Sequence, residues 1–82
     1  MIGPGIAELD IHGKSKGQAK TAIDAALRRH CARAYRIRII HGYNRGSELK
    51  EMIKTEYSEH PGILRIETGE NPGITVFVLR EF

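Results

Sequence analysis

The chain has 82 residues, 40% of them apolar, and no tryptophan. That length holds one domain and excludes two, and the apolar share supports a small core rather than a disordered chain. Lysine and arginine exceed aspartate and glutamate, 13 against 10; this admits a phosphate-bearing partner without requiring one, while a lone cysteine, Cys31, excludes an intrachain disulfide and a thiolate metal cage.

Residues 1–6 contain Gly3, Pro4 and Gly5 and read as a flexible leader, with 7–82 as a single domain. The opening MIGPGIAELD lacks the basic-then-apolar character of a signal peptide. No apolar stretch approaches the roughly 20 residues that span a bilayer. The expectation is a cytoplasmic protein with no membrane partner.

Leu9 and Ile11 alternate with Glu8 and Asp10, which predicts a short strand with one apolar face. Ser15 and Gln18 have capping-box spacing for a helix start. Ala19, Ala22, Ile23, Ala26, Leu27 and His30 then share one helical face, with Lys20, Asp24 and Arg28 opposite. The first helix should run from about Lys16 to about Arg33. Arg36–His41, RIRIIH, is a second strand with Ile37 and Ile39 on one face and the two arginines on the other. Ser47 would cap a second helix, with Glu48 in its first turn and an apolar stripe of Leu49, Met52, Ile53 and Tyr57. Pro61-Gly62, with His60 before it, stops that helix; Ile63–Thr68 forms a third strand, and ITVFVL from Ile74 to Leu79 the fourth and most apolar one.

The order β-α-β-α-β-β predicts an α/β two-layer sandwich, in the α+β sense: a four-stranded mixed sheet with two helices on one face. Two crossovers of this length imply parallel pairing of the first three strands, with the last returning antiparallel.

A polar heptad occurs twice. IHGKSKG spans residues 11–17 and IHGYNRG residues 40–46, each after a strand and before a helix. Such joints fall at the carboxyl edge of a parallel sheet, where open α/β sheets bind ligands. Helix N-termini bring N–H groups and positive dipole ends there. Gly13, Gly42 and Gly46 permit tight turns, and Lys14, Lys16 and Arg45 add charge, so the edge suits phosphate. With a parallel third strand, Thr68, Gly69 and Asn71 close the same edge.

His12 and His41 can give or take protons near neutrality. Asp10 shares a strand side with His12 and could orient its imidazole, take part in proton transfer or hold a divalent cation. Tyr43 could stack on a base. Taken singly, each histidine more often caps a helix or bonds a carbonyl, each glycine more often serves a turn, and Tyr43 is more often a surface aromatic. The clustering of two identical spacings at one edge raises the functional reading above these. Gly13-Lys14-Ser15 matches the tail of a P-loop, but the glycine that pattern needs five residues earlier is Glu8, so nucleoside triphosphate hydrolysis is rejected.

The chain from Glu8 onward resembles the Smr, or small MutS-related, domain family, as a short standalone member. Leu9-Asp10-Ile11-His12-Gly13 resembles the family's LDLHG signature. Ile39-Ile40-His41-Gly42 and the loop to Leu49 resemble its HGxG or TGxG signature, although Asn44 stands where the second glycine would be and the next glycine is Gly46. Asn71 with Gly73-Ile74-Thr75-Val76 resembles its closing N-x-G-x-T-x-V strand. The resemblance implies a fold similar to the C-terminal domain of translation initiation factor three. It implies DNA or RNA as partner, endonuclease activity in several members, and ties to repair proteins or the ribosome in some. Carried onto this chain, Asp10 and His12 match the residues implicated in cutting, and His41 to Gly46 the loop implicated in nucleic-acid contact.

The first expectation is therefore a nucleic-acid-binding domain with candidate endonuclease activity. Asp10, His12 and His41 would be catalytic, and Gly13, Lys14, Lys16, Gly42, Tyr43, Asn44, Arg45, Gly46 and Asn71 would bind the nucleic acid. No metal ligand set is assigned; magnesium near Asp10 is the one cofactor the chemistry admits, if water attacks a DNA strand. The alternative is a binding module without catalysis that acts through partner proteins. A small enzyme on a phosphorylated metabolite ranks third, since so short a chain offers little wall to enclose a substrate.

Overall fold

The computed structural model describes residues 5–30, 34–42, 48–69 and 72–80. Its elements are β1 (Ile6–Asp10), α1 (Lys16–His30), β2 (Arg36–Ile40), α2 (Glu48–Tyr57), β3 (Arg65–Thr68) and β4 (Ile74–Val78). The order expected from the sequence is the order found. The expected caps of α2 (Ser47) and the stretch Cys31 to Arg33 lie outside the described residues.

The four strands form one sheet in the order β1-β2-β4-β3. β1 and β2 pair parallel, and β4 pairs antiparallel with both β2 and β3. β3 thus runs in the direction of β1 and β2, but the expected parallel pairing does not extend to it, because β4 lies between β2 and β3. Composition explains this. ITVFV is buried on both faces at four of its five positions and belongs inside a sheet. RIET carries charge at alternate positions and suits an edge.

Ile37, Ile39, Phe77, Leu79 and Ile11 on the sheet pack against Ala19, Ile23 and Leu27 of α1 and Ile53 and Tyr57 of α2. Each of the Ile, Leu and Phe side chains among these contributes on the order of 1.5–3 kcal/mol when fully buried. Alternation turns Glu8, Asp10, Arg36, Arg38, Arg65 and Glu67 to the opposite, helix-free face. There Glu8 and Arg38 are direct register partners joined at 2.6 Å.

The start of α1 is the predicted capping box: Gln18 N–H donates to Ser15 Oγ at 3.2 Å, and Ser15 N–H to Gln18 Oε1 at 3.1 Å. The two helices lie side by side, and this corrects the placement of Lys20 and Asp24 on the side of α1 away from its packing. Both line the seam to α2. Tyr57 Oη–H donates to Asp24 Oδ1 at 2.5 Å, and Lys20 Nζ lies 5.1 Å from the Tyr57 ring centre. Burial and the neighbouring Asp24 carboxylate push the Tyr57 phenol well above its ordinary value. α2 ends at Tyr57, where a turn with His60 N–H on the Tyr57 carbonyl replaces the ladder; His60 Nδ1 accepts the Gly62 N–H at 3.0 Å, as expected of a residue that stops a helix. No helix among the described residues is long and apolar enough to cross a membrane.

Candidate nucleic-acid interface

The register aligns Asp10 with Ile40, Ile40 with Ile74, and Thr68 with Thr75. The ends of all four strands therefore meet at one edge, and both heptads leave the sheet there. Ile11 N–H continues the ladder onto the Ile40 carbonyl at 2.8 Å. The chain then turns sharply: Lys14 N–H returns to the Ile11 carbonyl at 3.1 Å, with Gly13 at φ +79° in the third position of the turn. A positive φ at that position selects glycine.

This turn brings His12 back over Asp10. His12 Nδ1 hydrogen-bonds Asp10 Oδ1, and the His12 backbone N–H donates to the same oxygen at 3.1 Å. A carboxylate accepts, so Nδ1 carries the proton, and in the neutral ring the lone pair is on Nε2. The His12 side chain is 69% exposed and the Asp10 side chain 52%, so this pair faces solvent. The His12 hydrogen bonds, chiefly the side-chain one, hold the Asp10 carboxyl below its ordinary value, with the Lys14 charge a smaller aid. Among the described residues Asp10 Oδ2 makes no hydrogen bond, so one carboxylate oxygen could serve a hydrated cation; no set of three or more His, Cys, Asp or Glu converges there among the described residues. Lys14 is exposed beside the turn. Lys16 reaches Glu48 at 3.8 Å, which ties the start of α1 to the start of α2.

His41 departs from the expectation that it is a second exposed acid or base. It is 5% exposed, and both ring nitrogens are engaged. Nδ1–H donates to the Gly42 carbonyl at 2.8 Å, and Nε2 accepts from the Thr75 hydroxyl at 2.8 Å. A nitrogen available to take a substrate proton is therefore missing. Gly42, at φ +75°, takes the tight turn expected of it, and its N–H is spent on the Gly73 carbonyl at 3.0 Å. The His41 N–H donates to the same carbonyl at 2.9 Å. The edge thus brings together Asp10, His12, Gly13 and Lys14 on an exposed surface, and His41, Gly42, Gly73 and Thr75 beneath it. Tyr43, Asn44, Arg45, Gly46 and Asn71 lie outside the described residues.

Thr75 and Gly73 carry polar work that the residue-by-residue reading did not assign. The signal was present: ITVFV is the most apolar strand, and alternation sets its one hydroxyl on the face of Phe77, where a buried Thr needs a partner.

Comparison with known proteins agrees with this architecture. The Smr domain family model matches residues 9–78. The crystal structure of the Smr domain of Thermus thermophilus MutS2 aligns at a TM-score of 0.80 with 22% identity, over 92% of this chain and 99% of that one. At that identity the likeness establishes the fold. No curated protein matches the chain.

Proposed function

The chain belongs to the Smr domain family, and from that premise we propose that it binds RNA or DNA at the β1–α1 edge and cleaves a phosphodiester there with His12 as general base. The single observation that carries this reading is the Asp10–His12 pair. A carboxylate that fixes Nδ1–H leaves Nε2 as the proton acceptor, on an exposed imidazole next to a glycine turn and a lysine. On RNA, Nε2 would take the proton of a 2′-hydroxyl. That oxygen would attack the adjacent phosphorus, and the bond to the 5′-oxygen would break, with the leaving oxygen taking a proton from water. On DNA water must attack, and magnesium held on Asp10 Oδ2 would supply the charge stabilisation.

Lys14 would pair with a phosphate oxygen. Arg45, Tyr43, Asn44, Gly46 and Asn71 retain their sequence-based assignment to nucleic-acid contact. Lys16, shared with Glu48, would contribute less. Contact with repair proteins or the ribosome remains a proposal drawn from the family.

The test is one experiment. The native chain and His12→Ala are incubated with labelled single-stranded RNA, structured RNA and duplex DNA, with magnesium or with EDTA, and resolved on denaturing and native gels. Fragments from the native chain that vanish with His12→Ala are the expected result, with binding retained in the variant. Bound but intact substrate in every lane would leave a binding module without catalysis.

A further inference from the structure

The second histidine has no role in the chemistry proposed above, yet it is buried with both nitrogens engaged. The helix layer supplies neither partner. One is the carbonyl of its own neighbour, Gly42, and the other is Thr75 on the adjoining strand β4. The backbone at His41 and Gly42 is thereby held by three hydrogen bonds to two partners. The Gly42 N–H is on the Gly73 carbonyl, the His41 N–H is on the same carbonyl, and the Gly42 carbonyl is on the His41 ring. Gly42 neighbours the first heptad: a methyl group added there would reach van der Waals contact with His12 Cβ, at 3.6 Å. It flanks His12 at the base of its side chain, and Asp10 holds the imidazole.

We propose that Thr75 is a positioning residue for His12, acting through His41 and the Gly42 peptide; this rests on the reading of His12 as the base. The Thr75 hydroxyl satisfies Nε2 and so keeps the His41 proton on Nδ1, where it clamps the Gly42 carbonyl. Without the hydroxyl, Nε2 is a buried acceptor with no donor. The Nε2 lone pair then finds a donor only if the ring rotates away, and rotation releases the Gly42 carbonyl. The backbone beside His12 loosens, and its imidazole samples a wider range. A misplacement of about 1 Å can cost as much as 100-fold in rate, so a partial loosening predicts a loss of roughly tenfold. Binding through Lys14 is untouched, because Lys14 is outside this chain of contacts.

Thr75→Val keeps the shape and removes the hydroxyl, and Thr75→Ser restores a hydroxyl. Both are compared with the native chain in single-turnover RNA cleavage, in RNA binding by fluorescence anisotropy, and in the imidazole region of ¹H–¹⁵N spectra. Thr75→Val should cut about tenfold more slowly while its affinity changes less than about threefold, with the His12 and His41 ring signals displaced. Thr75→Ser should recover rate and signals. Cleavage at the native rate in Thr75→Val overturns the proposal, as does a loss that Thr75→Ser does not recover. If the native chain cuts nothing, the base assignment fails separately, and the spectra alone decide the clamp: His12 signals unchanged between native and Thr75→Val overturn it. If Thr75→Val does not fold, the native spectrum suffices. The His41 ring must be the Nδ1–H tautomer with a slowly exchanging Thr75 hydroxyl proton, and an Nε2–H ring overturns the clamp.

Discussion

Asp10→Asn separates two roles for the carboxylate. The variant is nearly isosteric, and its amide oxygen can still accept both the His12 backbone N–H and Nδ1–H. What it loses is the charge that favours an imidazolium once Nε2 has taken a proton. A hydrogen bond to a charged acceptor contributes about 1.5–3 kcal/mol and one to a neutral acceptor about 0.5–1.5, so the difference is near 1 kcal/mol. More than half of both side chains faces water, and screening keeps the effect at the low end, roughly five- to tenfold in rate. His12→Ala removes the base itself and should cost about 100- to 10,000-fold. Single-turnover cleavage of a labelled RNA strand at saturating protein, run with EDTA and again with magnesium, measures both. A rate for Asp10→Asn within twofold of native would refute the charge-stabilising role and leave the carboxylate only an orienting one. A variant as inactive as His12→Ala would refute it in the other direction, since Asp10 would then act on the substrate or a cation directly.

Tyr57→Phe should destabilise by about 1 kcal/mol, which for a domain this size lowers Tm by roughly 4–8 °C; the ring stays packed, and the bond to half-exposed Asp24 is lost with a long one to the Lys20 carbonyl. Gly13→Ala should cost a similar amount, because nothing crowds the added methyl and the penalty is the left-handed backbone alone, whereas Gly17→Ala within α1 should gain about 0.5–1 kcal/mol; equal thermal shifts for the two would contradict the turn geometry. Lys14→Ala should weaken binding across all sequences and reduce the salt slope of log K by about 1, read from titrations at several ionic strengths. Asp10 has a folded-state carboxyl held below its ordinary 3.8. The stability it contributes is therefore fully present above that value and lost as pH falls through the lower one, and acid unfolding of Asp10→Asn should lack this step.

Much of the fold was legible because its elements carry strong local signals. The capping box at Ser15 and Gln18 is the bond pair found. The 3.6-residue stripe of α1 supplies Ala19, Ile23 and Leu27 to the core. Strand neighbours were less legible, because pairing is a non-local choice. The crossover lengths describe the directions of β1, β2 and β3 correctly, but they say nothing about insertion of a later strand. Burial decides that: Phe77 and Val78 are both fully buried although alternation sends them to opposite faces, so β4 must lie inside the sheet. Side-by-side helix packing was also illegible, since a helical wheel shows which face meets the sheet and not which flank meets another helix. Asp24 and Tyr57 found each other there.

The two heptads look alike and do opposite things, and counting shows why. Sheet register pairs Ile6 with Arg36, a separation of 36 − 6 = 30 residues, and Asp10 with Ile40 at the same separation. The heptads start 40 − 11 = 29 residues apart. A shift of one residue along a strand moves a side chain to the other face of the sheet. Ile11 therefore points into the core and His12 turns out to Asp10 and solvent, whereas Ile40 lies on the helix-free face and His41 turns in toward Thr75. The alternation of Leu9 and Ile11, set beside Ile37 and Ile39, already contains this result: continued by two residues, it places His41 with the core isoleucines. Repetition of a motif thus did not mean repetition of a role. A one-residue offset between a 29-residue repeat and a 30-residue register makes one histidine available to a substrate and sets the other beneath it, bonded to the Gly42 backbone that neighbours the first.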